Sequence, residues 1–266
     1  MVFSHGGLLG HCQSECLHVV FQKFSMELKP KKPSVSFVVP ALNEEGNIEA
    51  TTNAILRAAE GCLSAFEVIL VNDGSTDRTG AIMDRLAMQN PCVRVVHNAK
   101  NLGYGGAFKA GAAQARMDYV VRICGDDCSP PFSIQRILQE IGKADIVIPY
   151  VSNPELRSWL RRLGSWGFTT LVNVLFGFHV PYYNHAVVFR REHLNAIVIK
   201  TDGFAYQAEA IVKLLKAGCT FTTIGVEDIP RAKGKSTALK PKNLARVLKA
   251  IVALAWEVYR PTPIRK

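Results

Sequence analysis

The stretch Phe66-Glu-Val-Ile-Leu-Val-Asn-Asp-Gly-Ser-Thr-Asp77 decides the fold of this chain. An apolar run from Val68 to Val71 ends abruptly at Asn72-Asp73-Gly74-Ser75. Short apolar runs that are rich in β-branched residues and bounded by turn formers are typical of buried strands in a parallel sheet. An acid that follows such a strand points into the crevice where open α/β sheets bind ligands. We therefore expect the carboxylate of Asp73 to meet ribose hydroxyls or base N–H groups, because bare phosphate would repel it.

Strand and helix patterns alternate on both sides of this stretch. Strands are predicted at 34–40, 66–71, 93–96, 119–124 and 145–149, and helices between them end near residues 59, 89, 116 and 142. Strands that alternate with helices of about 10–15 residues indicate βαβ units and a mostly parallel sheet. Right-handed crossovers then place the motifs that follow the strands along one edge of the sheet.

The composition fits one large α/β domain. The chain has 266 residues, of which 48% are hydrophobic, and this is enough for a substantial core. Its seven cysteines show no disulfide framework, and several lie inside apolar strand patterns. Reduced, buried thiols in a cytosolic protein are therefore expected, and thiolate zinc sites are not.

The positive charge is concentrated near the end of the chain. Of the net charge of +10, the segment 231–266 carries +9, with ten Lys or Arg and one acid. Such a segment favours an anionic partner, with nucleic acid and membrane both candidates, or it is a solvated face that keeps the protein soluble. We divide the chain into a disordered or weakly structured extension at 1–32, a folded domain at 33–243 and a basic amphipathic helix or tail at 244–266.

The stretch from Leu163 to Phe189 contains no Lys, Arg, Asp or Glu. Polar residues and three glycines interrupt it, so a membrane-spanning helix is not expected. Two alternatives remain open. One is a helix in the membrane interface that buries Trp166 and neighbouring apolar residues, and the other is an ordinary core helix.

Three further segments have chemistry suited to a ligand site. Asp126 and Asp127 end a strand, where paired carboxylates suit a hard divalent cation such as Mg²⁺ or Mn²⁺, or form a plain acidic turn. The glycine-rich segment 101–111 enters a helix and allows either close backbone approach to a ligand or a tight turn. The loop 231–236 has three cations around a glycine and suits a phosphate lid, or is surface decoration.

Together, six motifs in order resemble a known family. They are Val39-Pro-Ala-Leu-Asn-Glu44, Val71-Asn-Asp-Gly-Ser-Thr-Asp77, Asn101-Leu-Gly-Tyr-Gly105, Gly125-Asp-Asp127, Gln207-Ala-Glu209 and Arg231-Ala-Lys-Gly-Lys-Ser236. The chain resembles a family 2 glycosyltransferase of GT-A fold, in the polyprenyl-phosphate sugar transferase branch typified by dolichyl-phosphate mannose synthase. The resemblance covers about 35–243 and implies a single Rossmann-like domain with a mostly parallel central sheet flanked by helices.

The resemblance also implies a set of site residues. Pro40, Asn43, Glu44 and Asp73 would bind the nucleoside of a GDP- or UDP-sugar, and Asp127 with Asp126 would hold Mg²⁺ or Mn²⁺ on the diphosphate. Gln207 and Glu209 would face the sugar and the acceptor, with Glu209 the general base if the acceptor is a hydroxyl. Arg231, Lys233 and Lys235 would clamp phosphates.

Two departures from the branch bear on these roles. The branch has Asp-x-Asp followed by Gln, and we align these positions with Gly125, Asp127 and Ser129, so that one ligand is absent unless Asp126 substitutes. An arginine expected at the acceptor phosphate aligns with Val187, and His185 or Arg190 are the candidates to replace it.

The expected function is metal-dependent, inverting transfer of a sugar from a nucleotide sugar to a polyprenyl phosphate. We expect the protein to act on the cytoplasmic side, on an anionic membrane surface and not on nucleic acid. Either its amphipathic regions hold it there or a partner supplies the anchor. The alternatives are the same fold acting on a soluble or glycan hydroxyl, and a non-catalytic module that binds nucleotide sugars or membranes.

Overall fold

The computed structural model describes residues 32–230 and 241–260. Among them, seven strands form one sheet in the order β3-β2-β1-β4-β6-β5-β7. The strands are β1 Ser34–Ala41, β2 Ala65–Asn72, β3 Val93–His97, β4 Tyr119–Arg122, β5 Ile146–Val151, β6 Val188–Arg190 and β7 Phe221–Val226. The pairing is parallel except at β6, which runs antiparallel to both β4 and β5. The predicted α/β fold with a mostly parallel sheet is therefore confirmed.

Eight α-helices connect or cover these strands in the described residues. They are α1 Ile48–Ala59, α2 Thr79–Gln89, α3 Tyr104–Ala112, α4 Pro131–Leu138, α5 Trp159–Phe176, α6 Arg191–Asn195, α7 Tyr206–Lys216 and α8 Pro241–Tyr259. Before α5, a single 3₁₀ turn covers Pro154–Leu156. From Pro33 onward the described chain belongs to one compact unit.

The core lies on both faces of the sheet, as the continuous apolar runs predict. Phe37 and Val39 pack with α1, α2 and α4 on one face, whereas Val38 packs with α3 and α7 on the other. This alternation follows from the period of two in a strand. Both faces are fully covered at β1, since Phe37, Val38 and Val39 are each 0% exposed.

Several element boundaries differ from the sequence prediction, among them the ends of β4, α3 and α4, and one strand was not predicted. β4 ends at Arg122 instead of residue 124, and α3 ends at Ala112, where the chain closes a turn between Gln114 N and Gly111 O. β6 was not predicted, because three residues inside an uncharged run give no periodicity to detect. The predicted extension at 1–32 lies outside the described residues apart from Lys32, and the three-part division stays a prediction.

Helices α5 and α8 lie against one another and leave large apolar side chains in solvent. The Tyr259 hydroxyl donates to Leu175 O at 2.6 Å, and the rings of Phe176 and Tyr259 stack at 6.1 Å. Exposed on α5 are Trp159, Leu160, Leu163, Trp166 and Val174, and exposed on α8 are Leu244, Leu248, Val252 and Trp256. No helix within the described ranges is long and apolar enough to span a membrane.

Candidate active site

The site is built where β1, β2 and β4 end. Ala41 lies in register with Asn72 of β2, and Val38 lies in register with Arg122 of β4. Because β1 lies between the other two strands, the loops after all three strands meet at one edge of the sheet. The predicted residues Pro40, near the end of β1, and Asp73 and Asp126, in the loops after β2 and β4, therefore lie at adjacent strand ends.

The loops after β1 and β2 bind each other through Asn43. Its backbone N–H donates to Ser75 Oγ at 3.0 Å, and its side-chain oxygen accepts from Thr76 N at 2.8 Å. Asn43 has a φ of 56°, a left-handed conformation that asparagine tolerates better than most residues. In Glu44, the next residue, the backbone N–H donates to Thr79 Oγ1, and the carboxylate accepts a hydrogen bond from Asn47 Nδ2 at 2.6 Å. Asn43 and Glu44 thus help to form the wall of the crevice at its predicted nucleoside end.

Asp73 is buried, at 4% exposure, and connects β2 to the glycine-rich segment. Its Oδ1 accepts hydrogen bonds from Asn98 Nδ2 and Leu102 N, at 2.8 and 2.9 Å, and its Oδ2 accepts from Gly103 N at 3.1 Å. The carboxylate therefore holds the loop before α3 in place. Its predicted contact with a base or ribose stays a prediction.

The acid pair follows a position that has no room for a side chain. A Cβ on Gly125 would lie 2.9 Å from Ala41 Cβ and 3.2 Å from Pro40 O, so no acid fits at residue 125. Asp127 has a φ of 56°, and its N–H donates to Thr51 Oγ1 of α1 at 3.0 Å. The pKa of Asp127 is raised by burial and by the neighbouring charge of Asp126, an electrostatic repulsion that a bound cation would relieve.

This acid pair fits a divalent cation that shares its coordination with a diphosphate. In the part of the chain that the structure describes, no group of three or more His, Cys, Asp or Glu residues could hold a metal ion. Two carboxylates are nonetheless sufficient when phosphate oxygens complete the shell, as is usual for Mg²⁺. Asp126 and Asp127 would then be the protein ligands.

Gln207 and Glu209 lie in the first turn of α7 but contact different segments. Gln207 Nε2 donates to His185 O at 2.6 Å. Glu209 accepts from the backbone N–H groups of Lys200 and Thr201, each at 2.9 Å, and from Lys213 Nζ at 2.7 Å. Burial raises the pKa of Glu209, but these hydrogen bonds outweigh it and lower the pKa below its usual value. The carboxylate is thus weakly basic and fully engaged.

The structure also locates Val187, which aligns with the expected acceptor arginine, and the two candidates to replace that arginine. Val187 is fully buried. Arg190 pairs in register with Tyr119, the first residue of β4, and lies beside Asp145, so it is at the end of the strands opposite to the site. His185 lies at the crevice edge and is 6% exposed, with its Nε2 3.1 Å from Asp228 Oδ1. Of the two candidates, only His185 is near the site. The predicted lid residues Arg231, Lys233 and Lys235 lie outside the described residues.

Sequence reasoning missed a buried polar cluster behind these residues. The carboxylate of Asp228 binds both His185 and Arg157, and Arg157 also donates to the Tyr182 hydroxyl at 2.8 Å. Burial raises the pKa of Asp228, but His185 and Arg157 outweigh it and lower the pKa. Beside this cluster lies Arg122, a charge at the end of an otherwise apolar strand, which is 3% exposed and donates to His185 O.

Comparison with known proteins identifies the class. The family model "Glycosyl transferase family 2" matches residues 36–198, which is more than half of the chain. The chain therefore belongs to glycosyltransferase family 2 and is a glycosyltransferase, as the six motifs predicted.

Similar proteins act on different acceptors. An undecaprenyl-phosphate mannosyltransferase from Micrococcus luteus is 24% identical over 84% of this chain and 96% of its own length. A dolichyl-phosphate β-glucosyltransferase from Trichomonas vaginalis is 29% identical over 57% of this chain, which covers only 50% of that protein. Among solved structures, glucosyl-3-phosphoglycerate synthase from Mycobacterium tuberculosis in complex with UDP superposes with a TM-score of 0.64 at 17% identity, over 96% of this chain and 86% of that one. This last likeness confirms the GT-A fold.

Proposed function

We propose that this glycosyltransferase moves a sugar, with inversion, from a nucleotide sugar to a polyprenyl phosphate at the surface of a membrane. The single observation that carries the acceptor assignment is the exposed apolar surface of α5 and α8 beside the site. Trp166 is 67% exposed and Trp256 is 71% exposed, and a soluble protein gains nothing from two such side chains in water. A hydrophobic acceptor tail needs an enzyme that lies on the membrane.

The positive charges on α5 and α8 also support binding of this surface to a membrane. Lys242, Arg246 and Lys249 are exposed on α8 among its apolar residues, as are Arg161 and Arg162 on α5. Cations flanking an apolar helical face are typical of helices that lie in the interface of an anionic bilayer. α5 begins two residues after Arg157, which belongs to the cluster behind the crevice. Docking of this surface would thus bring the headgroups of a membrane close to the site.

The donor would lie along the edge of the sheet. Its nucleoside would meet the loops that carry Pro40, Asn43, Glu44 and Asp73, and Asp126 with Asp127 would hold Mg²⁺ or Mn²⁺. The cation, when bound, neutralises charge on the diphosphate that leaves. The solved M. tuberculosis synthase has been determined with Mn²⁺, UDP-glucose and phosphoglyceric acid, which supports a donor of this class for the fold. The lid cations at 231–235 would hold the same phosphates.

The state of Glu209 favours a phosphate acceptor over a hydroxyl. A hydroxyl must lose its proton to a general base, whereas a polyprenyl phosphate is already ionised and needs only orientation and charge neutralisation. Glu209, the base predicted for a hydroxyl acceptor, is saturated with hydrogen bonds from Lys200, Thr201 and Lys213. We therefore assign Glu209 to holding the 200–201 segment and Gln207 to the acceptor side of the crevice.

The test combines the protein with vesicles that contain polyprenyl phosphate, a panel of UDP- and GDP-sugars, and Mg²⁺ or Mn²⁺. One donor should give a glycolipid and an equal amount of nucleoside diphosphate, and Asp127→Ala should reduce the rate by at least about 100-fold, in line with the loss of an electrostatic stabiliser. Glu60→Gln, at an exposed acid directly after the last residue of α1, is the control. Absence of glycolipid with every donor would refute the proposal, and nucleotide binding without turnover would favour a non-catalytic module.

A further inference from the structure

Arg122 is the last residue of β4, and its buried guanidinium bridges two parts of the site. Its Nη1 donates to the Tyr104 hydroxyl and to Cys124 Sγ, the latter at 2.8 Å. Its Nη2 donates to the backbone oxygens of His185 and Asn184, at 2.5 and 3.3 Å. The two sides of one guanidinium thus bind the loop after β4 and the segment before β6.

No carboxylate pairs with this guanidinium in the ranges that the structure describes, 32–230 and 241–260. A guanidinium does not lose its proton in a protein, and burying a charge without an opposite charge is costly. Its neighbours in β4, Val120 and Val121, show that an apolar residue suits this strand. Stability alone therefore does not account for an arginine at residue 122.

The two segments that Arg122 joins have different tasks in the proposed reaction. Cys124 is followed directly by Gly125-Asp126-Asp127. We call residues 124–127 the acidic loop and assign it to the donor. His185 O also accepts from Gln207 Nε2, and the His185 ring binds Asp228, so the segment 184–186 belongs to the acceptor side. Arg122 is therefore a direct polar connection between the donor side and the acceptor side.

We propose that Arg122 is a positioning residue that fixes the distance between the acidic loop and the segment 184–186. The planar guanidinium can hold both at once because its donors point in fixed, diverging directions, and an ammonium group cannot replace that geometry. The assignment of the two sides rests on the proposed function, but the mechanical link does not. Transfer needs donor and acceptor in line, and a displacement of about 1 Å can reduce a rate about 100-fold.

The test uses Arg122→Lys, which keeps the charge but loses the fork, and Arg122→Met, which keeps much of the volume. Leu86→Ala, in the last turn of α2 and away from both segments, is the control for a general loss of stability. Amide hydrogen exchange is measured by mass spectrometry on peptides that cover 124–127 and 184–187. Both peptides should exchange at least about 10-fold faster in the two Arg122 variants and not in the control.

Kinetics supply the second measurement. In Arg122→Lys, kcat for glycolipid formation should fall about 100-fold while the Kd for the donor nucleotide stays within about threefold. The reason is that, among the residues that the structure describes, Arg122 reaches the nucleoside side only through the Tyr104 hydroxyl and donates no hydrogen bond to Asn43, Glu44 or Asp73. Unchanged exchange in either peptide, or a kcat loss no larger than in Leu86→Ala, would overturn the inference. If the wild type forms no glycolipid, the proposed function fails on its own, and the exchange experiment still decides the role of Arg122.

Discussion

The Oδ2 atom of Asp73 accepts a hydrogen bond from the backbone N–H of Gly103 at 3.1 Å, and this bond fastens the end of β2 to the loop before α3. Gly103 has a φ of 83°, and a Cβ there would lie 2.8 Å from Asp202 O. The loop is thus held at a single conformation from two sides. Asp73 and Gly103 together set the shape of the crevice at its proposed nucleoside end.

Replacing Asp73 should therefore damage both stability and donor binding. In Asp73→Ala the N–H group of Leu102 and the side-chain amide of Asn98 lose their acceptor, whereas the N–H of Gly103 keeps its second acceptor, Asn101 Oδ1. A polar group left unsatisfied away from water costs about 1–3 kcal/mol. We expect the free energy of unfolding in urea to fall by at least that amount and the nucleotide Kd to rise. Asp84→Asn, at an exposed ion pair with His97, should change neither by a measurable amount. An Asp73→Ala protein of unchanged stability would contradict the role of this carboxylate.

The position of Asp73 was predictable, and its hydrogen bonds were not. The apolar run that ends at Asn72 places an acid at the crevice, since strand period and turn chemistry are local properties. The partners of Asp73 lie about 30 residues away, and no local pattern encodes them. For the same reason the sequence suggested Glu209 as a general base, although the backbone of residues 200 and 201 already occupies its oxygens.

The second half of the sheet also shows that local sequence patterns do not predict long-range contacts. β6 has three residues and enters between β4 and β5 in the antiparallel direction, so its place depends on long-range pairing and not on its own composition. The buried Arg122 was visible in the sequence, but only tertiary structure shows what its guanidinium contacts. The predicted position of the motifs after β1, β2 and β4, at one end of the sheet, agrees with the structure, because strand ends follow from local signals.

Two glycines in helices provide a matched test of packing. A Cβ on Gly111 of α3 would lie 2.5 Å from Val38 Cγ1 and 2.7 Å from Val71 Cγ2, whereas nothing lies within 4 Å of a Cβ on Gly167 of α5. Gly111→Ala should lower the free energy of unfolding by about 1–3 kcal/mol through overpacking. Gly167→Ala should raise it by up to about 1 kcal/mol through helix propensity. Equal effects in urea titrations would show that α3 does not pack on β1 and β2 as described.

The buried Glu67 should make stability depend on pH. Burial raises its pKa, but hydrogen bonds from Ser36, Arg94 and the backbone of Arg116 outweigh it and lower the pKa. Because the folded-state pKa is the lower one, the stabilisation is complete above about pH 4.5 and is lost as the pH falls through the folded-state value. Glu67→Gln should thus have a clearly lower free energy of unfolding than wild type at pH 7, and this difference between the two proteins should be smaller at pH 3. A difference that does not change with pH would contradict this account.

The α5–α8 surface predicts membrane binding that depends on single tryptophans. Trp166→Glu or Trp256→Glu should weaken binding to vesicles of phosphatidylcholine and phosphatidylglycerol about 10- to 100-fold, which corresponds to the loss of about 1.5–3 kcal/mol of apolar burial. The melting temperature should hardly change because both side chains are exposed. Met88→Glu, exposed on α2 by 82%, is the control and should bind as wild type in flotation assays. Equal binding by all four proteins would remove this surface from the account.

The most direct test of the central claim compares two acceptors that differ only in the phosphate. The enzyme, its preferred nucleotide sugar and Mn²⁺ are incubated with vesicles that contain either a polyprenyl phosphate or the corresponding polyprenol. Since no free general base is assigned to the site and a phosphate needs none, we predict a glycolipid product from the phosphate alone. Equal or faster transfer to the alcohol, or to a soluble glycan, would contradict the account.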